Sequence, residues 1–378
     1  MMPDLPKGKF REPAECVIRV GEAGEEIADL YPFLSEVTVD ARRDEPTVAT
    51  LKFETRRDEN GRWQVQDSGL LTPWAPIVIE AAFGHTTQEI MRGYILRIRA
   101  DYPQDPGQTT VTVECRDESV KLDRSHVRKV WGGDEPTTDQ VIVSTIVADH
   151  GLILDPESGP GLAGIVVNQD GTDIVLLQNR AEANGYELIF REGQVYFGPM
   201  RLDAAPQETL MVYAGTSGNC ISFNIDDDGH QADEVAFDLA RAEGAGTESE
   251  TLAPDQPLLG EEPARSSEAG LGDFVWRMHR LAGMSSEELR ARARRKANDL
   301  AMKIKADGEL DGSLYGNVLR VAEPVGVDGV GERYGGVYYV DSVRHLFNTE
   351  GYRQTFTLLR NAYGDNLESA PGLLSAVL

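Results

Sequence analysis

Residues 335–362, GGVYYVDSVRHLFNTEGYRQTFTLLRNA, limit the possible folds more than any other part of the chain. From Val337 to Phe347 β-branched and aromatic residues predominate, Asn348-Thr349-Glu350-Gly351 interrupts, and Tyr352 to Leu359 resumes the pattern. Two such runs joined by a short loop containing Gly predict a β-hairpin. In the return strand Phe356 and Leu358 share one face, while Arg353, Thr355 and Thr357 share the other. A two-stranded ribbon is marginal alone, so the rest of the chain has to supply a larger sheet.

It does so near the start. ECVIRV (15–20), LSEVTVD (34–40), TVATLKFETR (47–56), APIVIEAAF (75–83), QEIMRGYILRIRADY (88–102) and TTVTVECRD (109–117) are short runs divided by Gly, Pro, Asp or Asn. Strands at this spacing predict a closed or nearly closed barrel over 14–124, which would also remove exposed sheet edges. The period then changes. Thr137 and Gln140 have capping-box spacing ahead of an apolar run to Ala148, and a second helix is expected over 173–184 with Gly185 after it. YELIF (186–190) and QVYFG (194–198) predict a hairpin, which makes 125–207 a small α+β domain.

A second β-barrel domain is expected over 208–363. LMVYAG, CISFNID, EVAFDLA, NVLRVA (317–322) and the closing hairpin supply its strands. It is broken by residues 243–270, which hold seven acidic groups and one basic one and predict an exposed loop or a disordered insertion, mobile or ordered only against another subunit. A helix is expected over 285–305, opened by a Ser285–Glu288 capping box and striped by Leu289, Ala293, Leu300 and Ile304. An N-terminal arm (1–13) and a C-terminal tail (364–378) flank the domains. The fold class is thus mainly β with small α+β parts, two tandem β-barrel domains around a helical and hairpin segment.

The 378-residue chain has the composition of a globular protein and a net charge of −26. That charge disfavours nucleic-acid backbones and anionic membranes as partners. No run reaches the length of a membrane span, and the first residues lack the apolar core of a signal peptide. Cys16, Cys115 and Cys220 are odd in number and widely spaced, which suits small buried side chains made in a reducing compartment.

Candidate chemistry is sparse. Asn224, Asp226, Asp228 and Gly229 fit the first half of a calcium loop, but the closing position holds Val235, so the segment reads as an acidic turn and no metal is expected. None of the six histidines has a second ligand at metal spacing, and no nucleophile elbow, phosphate loop or dinucleotide fingerprint occurs. His345 and Asp341 share a strand face, yet no nucleophile accompanies them, so no catalytic residue or cofactor is assigned. Arg290, Arg292, Arg294, Arg295 and Lys296 concentrate positive charge on one helix. They read either as a solvated face that balances the acidic insertion or as a docking surface for an acidic partner or neighbouring subunit.

Three stretches carry a family resemblance: MRGYILRIRADYP…TTVTVECRDESVKLDR (91–124), DIVLLQNRAEANGYELIFREGQVYFGP (173–199) and the closing 335–362, where Tyr339, Val343, His345, Gly351, Tyr352, Phe356, Arg360, Asn361 and Ala362 fall in pattern. In order and spacing the chain resembles the late-control D proteins, the central hubs of contractile phage tails and phage-like injection systems, and the barrel part of type VI spike proteins. The resemblance implies tail-tube-like barrels and a homotrimer that joins a sixfold inner tube to a threefold spike. It also implies contacts with baseplate wedge subunits and assembly in the bacterial cytoplasm. The long acidic insertion departs from that pattern, and the absence of a needle after 363 implies a spike on a separate polypeptide. Tyr339, Val343, Phe356 and Leu358 are then packing residues of the second barrel. The rival readings are a baseplate-associated glycan or peptidoglycan hydrolase and an adaptor that binds through the basic helix.

Overall fold

The computed structural model describes residues 13–104, 106–213, 215, 218–240, 247–265, 272–279 and 285–367. Alternating sequence becomes strand throughout the first part: β1 (Ala14–Val20), β2 (Leu34–Arg42), β3 (Val48–Glu54), β4 (Pro76–Phe83), β5 (Thr86–Asp101) and β6 (Thr110–Asp117). In β6 the buried side is Val111, Val113 and Cys115, as the alternation requires. These strands enclose an apolar core centred on Ile18, Val39, Leu51, Phe53, Ile79 and Ile95.

The middle part opens with β7 (His126–Trp131), then α1 (Asp139–Asp149), β8 (Val167–Thr172), α2 (Asp173–Asn184) and the hairpin β9 (Glu187–Arg191) and β10 (Gln194–Gly198). Strands β7 and β8 form an antiparallel ribbon, and the helices pack over Ile142, Ile146, Leu177 and Phe197. Gly185 ends α2 in the left-handed conformation, as its position predicts. The α1 cap is one residue later than the sequence suggests. Thr138 accepts from the Val141 N–H, because Thr137 and Thr138 are drawn into a short strand against Ala163–Ile165.

The last part contains β11 (Gln207–Met211), β12 (Cys220–Asp227), β13 (Glu234–Ala240), β14 (Thr247–Leu252), β15 (Val275–Arg277), α3 (Ser286–Ala301), β16 (Ile304–Asp311), β17 (Pro324–Asp328), β18 (Gly336–Asn348) and β19 (Gly351–Arg360). The β18–β19 hairpin turns at Thr349-Glu350, with Asn348 opposite Gly351. Its core is built from Val343, Phe356 and Leu358 together with Leu210, Ile304, Val325 and Tyr338.

The fold is mainly β, but its sheet is not divided into two closed units. One 13-stranded sheet runs β12-β16-β19-β18-β2-β3-β6-β5-β4-β1, with Glu25–Glu26 beyond β1 and with β17, then β11, branching from β18. Among the described residues no pairing closes either half. The splice is β18. Residues 336–339 pair with β17, a bulge falls at Asp341, and residues 342–347 then pair with β2 at Val37–Arg42.

Two local expectations change. Helix α3 keeps its capping box but ends at Ala301, and Ile304 starts β16, because buried Lys303 leaves the helix to donate to Asp233 at 2.6 Å. NVLRVA is no strand. The Val318, Leu319 and Arg320 N–H groups donate instead to the side-chain oxygens of Gln88, Gln354 and Gln207 at 2.8, 2.7 and 2.8 Å. Those amides return hydrogen bonds to Asn317 and Arg320, so three glutamines replace a ladder that the segment never makes.

The acidic insertion is built into the fold across its described residues 247–265, and residues 243–246 and 266–270 lie outside the description. Strand β14 pairs with β13, and Glu262–Pro263 pairs with Ala362–Tyr363. Leu259 and Ala264 are buried. Asn361 and Arg360 clamp the Leu259 main chain at 2.9 and 3.0 Å, and Asn361 also donates to the Pro257 carbonyl. A few apolar anchors and matched donors outweigh an unpromising composition. The remaining terminal expectations, 1–12 and 368–378, fall outside the described residues. No described helix is long and apolar enough to cross a membrane.

Candidate functional site

The three parts meet around a cleft of about 360 Å³ lined by residues 41–47 after β2, by β5, by α2 and β9, and by the glutamine-braced segment 318–321. Several of its polar groups are engaged with one another. Arg43 reaches Asp341 at 2.6 Å and Glu187 at 3.2 Å, and Tyr339 donates its hydroxyl to the other Glu187 oxygen at 2.7 Å. Burial opposes the Arg43 charge, but Glu187 and Asp341 outweigh it and hold the guanidinium above its ordinary pKa. Burial raises the Glu187 carboxyl against the opposing pull of Arg43. Arg191 bridges to Glu323 and to the Val321 carbonyl, and Arg320 to Glu192 at 3.0 Å. Each pair joins the middle part to the second half.

The hydroxyl nearest to chemistry is Ser119, which donates to Asp117 at 2.5 Å. Asp117 also accepts from the Thr47 and Ser119 N–H groups and caps the short helical turn 118–123. Burial pushes its pKa up to about 6. The pair is therefore a turn cap. His345 is buried, with Nδ1 2.8 Å from the Tyr352 hydroxyl, and burial pushes its pKa down to about 3, so the ring is neutral. Asp341, its same-face neighbour in sequence, is taken by Arg43. Burial raises the thiols of Cys16 and Cys115 to about 12 and of Cys220 to about 11, away from nucleophile chemistry.

The acidic turn also resolves into structure. Asp227 accepts from Tyr334, Tyr363 and Arg333, while Asp228 caps its own turn through the His230 N–H. Among the described residues no group of three His, Cys, Asp or Glu side chains is placed to hold a metal.

Tyr339, Val343, Phe356 and Leu358 are all buried. The last three share the second-half core, whereas Tyr339 faces the junction with Leu202, Leu259 and Met302. The basic face of α3 finds partners within the chain: Arg290 with Glu250 at 3.0 Å, Arg292 with Glu182 at 2.9 Å, Arg294 with Asp255, and Arg295 with Asp299 at 3.7 Å. Lys296 sits over the Trp276 ring at 5.5 Å. Two of these partners, Glu250 and Asp255, belong to the insertion. The clamp residues Arg360 and Asn361 carried a sequence signal only as the end of the hairpin, and nothing in the sequence pointed to their target.

The family model described as the Alg8 N-terminal domain matches residues 14–349. A comparison with curated proteins gives no match. Among solved structures, the fold is shared with the 43 kDa tail protein of prophage MuSo2 from Shewanella oneidensis at TM-score 0.67 and 13% identity, over 92% of this chain and 98% of that one. A tail protein from Neisseria meningitidis gives TM-score 0.62 at 15% identity, over 92% and 97%. The c3393 protein of E. coli, a component of the type VI secretion system, gives 0.53 at 13%, over 90% and 77%.

Proposed function

The chain belongs to the Alg8 N-terminal domain family, and from the fold it shares with phage tail proteins, not from that membership, we propose that it is a structural baseplate hub of the late-control D kind. In this reading three copies form a ring that joins a sixfold inner tube to a threefold spike in a contractile tail or phage-like injection particle. The carrying observation is the splice at β18, which pairs the strands of the two halves directly into one sheet. Tandem halves let three chains present six similar units, converting threefold into pseudo-sixfold symmetry. The role is one of assembly rather than turnover: Glu187, Asp341, Glu323, Arg43, Arg191 and His345 are spent on packing and mutual hydrogen bonds. Wedge subunits, the tube and the spike are the partners this role requires.

The test pairs particle assembly with enzymatic turnover. Phe356 is buried in the second core, so Phe356→Ala is expected to cost about 3–5 kcal/mol and to leave particles without an attached tube. Electron micrographs of particles should place three copies at the hub, and the unmutated protein should not degrade glycan or peptidoglycan. One or six copies would overturn the stoichiometry. Normal particles with hydrolysis lost on Asp341→Asn or His345→Ala would replace the scaffold with an enzyme.

A further inference from the structure

Beside the large sheet stands a small one, β14-β13-β15, whose inner face packs against Leu289, Ala293 and Ala297 of α3. Among the described residues neither outer strand has a second partner. The two open edges differ. Strand β14 reads TESETL and exposes Thr247, Glu248 and Ser249. On the other side Phe274, Val275 and Trp276 are 43%, 44% and 38% exposed, with Arg277 following and Lys296 over the Trp276 ring. Arg277 is paired with Asp238 of β13 at 3.1 Å and Glu250 with Arg290 at 3.0 Å. What the two edges offer each other is therefore Glu248 against Lys296 and, above all, main chain. An unblocked edge is a template for strand addition.

The main chain of β15 is ready for such addition. The Phe274 carbonyl accepts from the Asp233 and Glu234 N–H groups, and the Met278 N–H donates to Ala236, so residues of that parity bond inward to β13. Val275 and Arg277, of the other parity, turn their N–H and C=O groups to the open side. Strand direction also fits. Strand β14 runs antiparallel to β13 and β15 parallel to it. A rotation that carries one copy to the next while keeping strand direction therefore sets the next copy's β14 antiparallel to β15. Such a head-to-tail contact closes into a ring when the rotation closes.

We propose that β15 of one copy pairs with β14 of the next, so that the small sheets knit neighbouring copies together. This rests on the multi-copy hub reading and names the surface that makes it.

Two tagged pools of full-length protein test the pairing, one carrying Ser249→Cys and the other Arg277→Cys, with Thr251→Cys as a second register for the first pool. Within one chain Thr251 and Arg277 both lie opposite Ala236, two strands apart at about 9.5 Å, and Ser249 is farther still, so both positions are beyond the roughly 7 Å Cα reach of a disulfide. Mild oxidation of the mixture in about 0.5 M salt, which screens repulsion between acidic chains, should link one tag to the other, and neither pool alone should give the product. Val275→Pro removes an outward N–H and leaves the inward ladder intact. It should weaken self-association about tenfold or more by sedimentation, with the circular dichroism unchanged. A mixture that sediments as a trimer yet never links the two pools overturns the edge pairing and leaves the hub reading standing. Monomers in solution together with a single hub copy per particle would remove both.

Discussion

At the scale of single residues, burial decides what each polar group does. His345 illustrates the rule because it sits in a hairpin strand and looks catalytic beside Asp341, yet it is a packed neutral ring. Its pKa is pushed from the usual histidine value down to about 3 by burial. The unfolded chain therefore binds a proton there at about pH 6.5 that the folded chain refuses. The site imposes no penalty above that pH. As the pH falls from about 6.5 towards 3 it withdraws stability at up to about 1.4 kcal/mol per pH unit. Asp117 runs the other way: its raised value, about 6, favours the folded protein as the pH falls below 6. The two oppose each other across much of that window. Comparing unfolding of the parent with His345→Gln isolates the histidine: the difference in stability should shrink, or change sign in favour of the variant, as the medium is acidified from pH 6.5 to 4.5. A pH-independent difference would show that the ring is protonated inside the fold.

At the scale of elements, what was legible in sequence was local. The closing hairpin, α2 with Gly185 and the Ser285–Glu288 box are set by residues within a few positions of one another, and each stands where the pattern places it. What was not legible depends on partners far along the chain. Arg43 finds Asp341 across 298 positions. The 317–322 run has strand composition but meets three glutamine amides before it meets a neighbouring strand. The insertion looked disordered because Leu259 and the Arg360–Asn361 clamp lie a hundred residues apart. The same contrast of depth predicts how charge pairs behave. Arg180 and Asp139 are buried and join α2 to α1 through two hydrogen bonds, at 2.6 and 3.1 Å. Arg180→Ala strands the carboxylate, and chemical denaturation should show a loss of about 3–5 kcal/mol. Arg290→Ala, which removes an exposed partner of Glu250, should cost at most about 1 kcal/mol. Equal losses would mean that the α1–α2 pair is hydrated in solution.

At the scale of the whole molecule, β18 removes the usual boundary between tandem units. Its residues 336–339 complete one half and 342–347 complete the other, and Phe347 and Tyr352 of the closing hairpin sit in the first-half core. Neither half can open without exposing a strand of its neighbour. Hydrogen exchange should therefore give the slowest amides of β3 and β6 the same opening free energy as those of β16 and β19. Denaturant should produce one transition for both. Two separate transitions would mean that the halves are independent. The same strand has a mechanical meaning. A load that pulls the halves apart along the strand direction acts in shear on the register from Ser342–Arg42 to Phe347–Val37, whose hydrogen bonds must fail together rather than one after another. The joint is a lap splice and not a hinge, so thrust delivered to one half reaches the other with no compliant segment to absorb it.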